Sequence, residues 1–140
     1  MEMVRVVDSL IEGLLSTGIV KEDIFIIKDE IEDIPKTIEN VQDYLGWINL
    51  SKLAVSLSGG DKATMIVGVS GICTEGNRDY LQVVSKCLYA IKKAILYSAY
   101  TDDNEIENLE IVIDSQSRED SVIVVCYTSI NVKFDVSYGA

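Results

Sequence analysis

The chain of 140 residues contains no histidine, one proline, three cysteines and one tryptophan. Each scarcity removes a class of protein. Without histidine, the usual base beside a serine or cysteine nucleophile is missing, and neither G-x-S-x-G nor S-x-x-K occurs. Cys73, Cys87 and Cys126 are widely spaced, form no C-x-x-C pair and have no histidine to complete a zinc set. Their places in apolar runs predict packing residues in a reducing compartment. A single proline and nine glycines exclude a collagen-like or linker-rich chain. No apolar run approaches the roughly 18 residues that suggest a membrane span. Twelve basic residues against 23 acidic ones give a net charge of −11, which opposes nucleic-acid phosphates and anionic lipid alike. Autonomous, sequence-specific nucleic-acid binding and membrane binding are not expected.

What remains is an ordinary globular composition, 48% hydrophobic and 25% charged. The length suits a single domain over residues 1–140, able to bury roughly 68% of the surface its unfolded form exposes. Arg5, Asp8 and Glu12 interrupt the apolar pattern near the beginning, so no secretory h-region is read there, and an intracellular location is expected.

Val7, Leu10, Ile11, Leu14 and Leu15 recur at helical spacing over residues 4–16, with Gly18 placed for a left-handed C-terminal cap. Ile24 to Ile27 is a short β-branched and aromatic run that suits a strand. After the acidic stretch from Lys28 to Asp33 and Pro35, Thr37 can cap a short helix. Ile38, Val41 and Leu45 would share one face of it, and it would end near Gly46. Asp29, Glu30, Glu32 and Asp33 could pair as catalytic carboxylates, but adjacent acids in a polar segment read as a solvated charge run.

Residues 53–57 and 63–73 read as the strands of a hairpin, because Gly59 and Gly60 between them can take the positive φ that a tight turn needs. Gly68 and Gly71 lack the lysine and following helix of a phosphate loop, and so mark a bulge or a close backbone approach. Asn77 can cap a long helix running to Ser98. Leu81, Val84, Leu88, Ile91 and Ile95 keep its seam, and Cys87, Ala90 and Ala94 widen it. Such breadth fits a helix lying on a sheet. Lys92 and Lys93 suit the negative pole of its dipole. Thr101 to Glu105 bunches oxygen ligands without the spacing of a calcium loop, and reads as a polar connection.

Leu109, Ile111 and Ile113 alternate as a strand, followed by a polar turn from Ser115 to Asp120. The last segment has Val122, Val124, Cys126, Thr128, Ile130, Val132, Phe134, Val136 and Tyr138 on one parity, a long strand with one buried face and one wet one. At roughly 55 Å it must bend near Thr128 and Ser129 or project beyond the body. The order helix, strand, possible helix, two strands, helix, two strands predicts an α+β fold, an antiparallel sheet with two helices on one face. The candidate contact residues are Trp47, the hairpin residues Gly59, Gly60 and Asp61, and Ile130, Val132, Phe134, Val136 and Tyr138 of the terminal strand. Removing residues 129–140 should then abolish assembly. No catalytic, cofactor-binding or metal-binding residue emerges.

The helix from Leu10 to Leu15, the strand Met65 to Cys73 leading into the helix Tyr80 to Leu96, and the closing strand Val132-Lys133-Phe134-Asp135-Val136 resemble the tail-terminator and tail-completion proteins of long-tailed phages. The resemblance lies in element order over most of the chain. It implies a non-enzymatic structural protein that forms a hexameric ring, caps the tail tube and contacts neck proteins in the virion after assembly in the host cytoplasm. It also implies that the terminal strand joins ring or tube contacts by strand addition, and that an acidic lumen lets DNA pass. The length between residues 28 and 50 departs from that pattern. In size, acidity and an α-β-β-β-α-β-β order the chain also resembles the small acidic chaperones of type III secretion systems. Those are cytoplasmic dimers that wrap an unfolded effector segment, and they usually end in a further helix where this sequence has a strand pattern.

Overall fold

The computed structural model describes residues 3–21, 25–27, 44–58, 60–74, 76–97, 110–117 and 120–134. Two helices, α1 (Met3–Ser16) and α2 (Gly76–Tyr97), accompany five strands: β1 (Phe25–Ile27), β2 (Leu45–Ala54), β3 (Asp61–Cys73), β4 (Val112–Ser117) and β5 (Val122–Phe134). They form one sheet in the order β1-β2-β3-β5-β4. β2, β3, β5 and β4 are successively antiparallel, and the short β1 adds parallel to β2. The fold is α+β.

Helix α1 ends as its residues dictate. The Gly18 amide donates to the Leu15 carbonyl at 3.2 Å with Gly18 at φ 72°, and the Thr17 hydroxyl donates to the Leu14 carbonyl. At the start of α2, the Thr74 amide donates to Asp79 Oδ2 at 3.1 Å, a carboxylate in the first turn where the dipole favours it. The helix begins at Gly76, so Asn77 lies inside its first turn rather than preceding it.

Both helices pack on one face of the sheet. Val6, Leu10 and Leu14 of α1 and Val83, Cys87, Ala90, Ile91 and Ala94 of α2 meet Met65, Val67 and Val69 of β3 and Val124, Cys126, Ile130 and Val132 of β5. The α2 seam is rotated from its expected position, since Val83 is buried and Leu81 is 62% exposed. A helix wedged between a sheet and a second helix buries a stripe set by both neighbours, which periodicity alone does not locate.

β3 and β5 pair along all thirteen residues without a register shift. Each spans about 43 Å, so the described part of the long terminal strand is matched by an equally long neighbour, with no register shift near Thr128. Asp135 to Ala140 lie outside the described residues.

Three expected boundaries are corrected. Leu45 and Gly46 open β2 instead of closing a helix; the rest of that expected helix, residues 37–43, lies outside the described residues. β2 spans 45–54, so the first hairpin strand is displaced toward the N-terminus, and Val55 to Ser58 form the connection. β4 continues through Ser117, where a turn was expected. In β4 the polar residues from Ser115 onward read as a turn. An exposed strand can carry them because the neighbouring backbone, not burial, holds it.

The hairpin closes on Asp61, whose Oδ1 accepts the Ser56 amide at 2.9 Å. Gly60 has φ 80°, as the expected turn requires, and Gly59 lies outside the described residues. Gly60→Val is expected to lower stability by about 1–2 kcal/mol, the cost of left-handed backbone for a residue with a Cβ, and Gly60→Asn by less. A denaturant midpoint unchanged in the valine variant would show that the turn does not need this conformation.

Candidate functional site

The expected contact residues fall into three groups. Ile130, Val132 and Phe134 are buried under the helices and serve the core. This corrects their assignment as contact residues: the parity of β5 that carries the apolar side chains is the one facing α1 and α2. Deleting residues 129–140 would therefore test folding, not assembly. Val136 and Tyr138, like Gly59, lie outside the described residues. Asp61 is buried in the hairpin base, and Gly60 is exposed.

Trp47 is also corrected. It lies on the face away from the helices, fully buried, in a second small cluster with Ile123 and Val125 flanked by Leu45, Ile66, Ile72 and Tyr127. Its indole N–H donates to Ser70 Oγ at 3.0 Å, and its ring meets the Tyr127 ring at a centroid distance of 5.9 Å. Gly68, opposite Trp47 in the β2–β3 register, leaves the space that the indole fills. The glycine read as a close backbone approach is one, with the tryptophan as its cause. Gly71 similarly admits Val83 and Tyr44, each within about 3 Å of where its Cβ would stand.

The three cysteines are buried and reduced. Cys87 of α2 and Cys126 of β5 share a hydrogen bond across the helix–sheet contact. That bond, and then burial, push the Cys87 thiol well above the usual thiol range, so it stays protonated and inert. Among the described residues, no group of three metal-ligating side chains occurs and no buried side-chain N or O atom lacks a partner. Among them, too, no helix is long and apolar enough to cross a membrane.

The exposed apolar side chains concentrate elsewhere. Beyond Asn49, where β1 stops, no described strand lies beside β2, and residues 50–54 are exposed on both faces. Leu50 is 41% exposed, Leu53 48%, and Val55 and Leu57 of the connection more. A register shift between Leu50 and Lys52 marks a bulge at Ser51. The shift turns Leu53 onto the helix side, opposite Ala63, and Lys52 onto the other face, opposite Thr64. The signal in the sequence was the spacing of Leu50, Leu53, Val55 and Leu57, which breaks the two-residue alternation at Ser51.

At the far edge of the sheet, all six residues of β4 are exposed, Val112 by 45% and Ile113 by 42%, and no described strand lies on its outer side. Its register with β5 places Ile113 opposite Cys126, on the helix side, and Asp114 opposite Val125, on the other. The Tyr127 hydroxyl donates to Asp114 Oδ2 at 3.4 Å. Burial, then the Asp114 charge and this bond, raise the Tyr127 pKa.

Charge is divided between two regions of the sheet. Near β4, Glu110, Asp114 and Asp120 are exposed. At the hairpin end, the face away from the helices carries Lys52, Lys62 and Lys133, with Lys62 registered directly against Lys133. Three cations on one small face stand out in a chain of net charge −11. Helix α2 adds Leu81, Tyr89, Leu96 and Tyr97 as exposed apolar residues on its solvent side.

No protein-family model matches the chain, and a search of curated proteins finds no relative.

Proposed function

We propose that this protein is a structural assembly component of a phage or phage-like tail. Copies of the chain would form a ring that caps the tail tube and meets neck proteins in the virion. The observation that carries this reading is the pair of segments 50–54 and 112–117, at opposite edges of one sheet, exposed on both faces and with no described strand on their outer sides. A sheet with two such ends lends itself to head-to-tail association, which closes into a ring when the rotation between copies divides a full turn. The net charge of −11 suits a ring through which DNA passes without adhering. In this reading the protein acts through its surface, in keeping with a sequence that offers no histidine base.

A second reading has its own support. The described elements follow the order α-β-β-β-α-β-β, which the resemblance to type III secretion chaperones implies, and the exposed Leu81, Tyr89, Leu96 and Tyr97 of α2 could form a dimer face. Native mass at several protein concentrations, with particle images, separates the two. The tail reading expects a ring near roughly 93 kDa, six times the 15.5 kDa chain. A stable dimer would replace it with the chaperone, and a monomer at every concentration would count against both.

A further inference from the structure

The two edge segments, neither with a described strand on its outer side, have complementary chemistry, and we infer that they are the two halves of one joint. Residues 50–54 of β2 in one copy add to β4 in the next, so that the sheet continues from molecule to molecule. This rests on the proposed self-assembly and specifies its contact.

The first support is direction. Because β2, β3, β5 and β4 alternate in sense, β4 runs antiparallel to β2. A neighbour placed with its helices on the same side of the sheet therefore presents its β2 antiparallel to this β4, the better hydrogen-bonding arrangement. The second support is register. With Lys52 set opposite Asp114 of the next copy, both side chains lie on the face away from the helices. Leu53 then falls opposite Ile113, both on the helix face, and Ala54 opposite Val112. One alignment satisfies the charge pair and the apolar pair together, and it does so only because the bulge at Ser51 resets the parity of β2.

The third support is selectivity. Joining β2 to β2 in a register of good overlap would bring two Lys52 ammonium groups within two positions of each other. Joining β4 to β4 would do the same for two Asp114 carboxylates. Only the unlike joint opposes opposite charges, and cross-strand pairs of like charge are unfavourable. A lysine and a bulge on an otherwise open edge are also features that discourage indiscriminate strand pairing. β4 carries no lysine, proline, glycine or bulge and is the receptive side. Because β4 lies beside residues 122–127 of β5, remote from the hairpin, each copy must step along the strand direction relative to its neighbour. Such a stagger is what tilts the strands of a closed barrel.

The test uses the full chain carrying Leu53→Cys and Ile113→Cys together, since the three native cysteines are buried. Mild oxidation, or a short bis-maleimide, is expected to give a covalent ladder from dimer up to the complete ring. Each single variant should stay uncrosslinked. In parallel, Lys52→Glu and Asp114→Lys should each weaken assembly at least tenfold in concentration, and the two together should restore it. Dimers formed by Ile113→Cys alone would mean a two-fold joint through β4 and overturn the inference. An oligomer of unchanged mass that yields no ladder, and that ignores both charge changes, would leave the ring reading standing and overturn this contact. Loss of all oligomers in the unmodified chain would remove the self-assembly beneath it.

Discussion

Trp47→Ala is expected to lower stability by about 3–5 kcal/mol, the range for removing a buried large aromatic side chain. The indole is the centre of the cluster on the face away from the helices, and its removal also leaves the buried Ser70 hydroxyl without the indole donor it now accepts from. Gly68→Ala should be costly from the other side, because its Cβ would enter the space held by the indole. The two positions fill one volume, so Trp47→Leu with Gly68→Ala should cost clearly less than the sum of the separate changes. Denaturant unfolding of the four proteins measures this. Strict additivity would mean that the glycine does not exist for the tryptophan.

Gly13→Ala should also be destabilising, against the sign that helix propensity gives. In an exposed helix interior the change would be worth about 1 kcal/mol of stability. Here the added Cβ would stand 2.8 Å from both Cα and the carbonyl oxygen of Ala94, which are backbone atoms of α2 and cannot rotate away. The helices must separate or tilt, an overpacking cost of about 1–3 kcal/mol or more. Gly13→Val should be worse, since its branches enlarge the same clash and add a weak helix former. A melting temperature raised by the alanine variant would show that α1 and α2 do not approach so closely in solution.

These two close approaches mark a boundary between what a local pattern conveys and what it does not. Gly68 was legible as a position of special backbone access, because a glycine weakens the interior of a β-branched strand unless the ladder bulges or another group must come close to the backbone. Its partner was not, because Trp47 lies twenty-one residues away on another strand and meets it only through register. Gly13 carried no signal at all. It sits at helical spacing within an apolar stripe, and the neighbour that excludes a side chain there is Ala94, far along the chain.

The candidate joint divides in the same way. That β5 is a long strand with one apolar parity was plain in its alternation. Which parity meets the helices depends on where α1 and α2 lie, and the apolar one proved to be core, leaving Ile130, Val132 and Phe134 unavailable to a partner. The contact passed instead to Lys52, Leu53, Ile113 and Asp114, ordinary residues until the sheet makes them edge positions.

Periodicity, capping residues and turn glycines were therefore sufficient for the α+β class, for α1, α2, β3 and β5, and for the hairpin glycine at position 60. Each of these is set by contacts within a few residues, or by one side of an element being apolar. Strand order, the parallel β1, the cluster around Trp47 and the two exposed edge segments depend on which strand lies beside which. That choice is made by backbone hydrogen bonds and packing between distant segments, and no local run of residues records it.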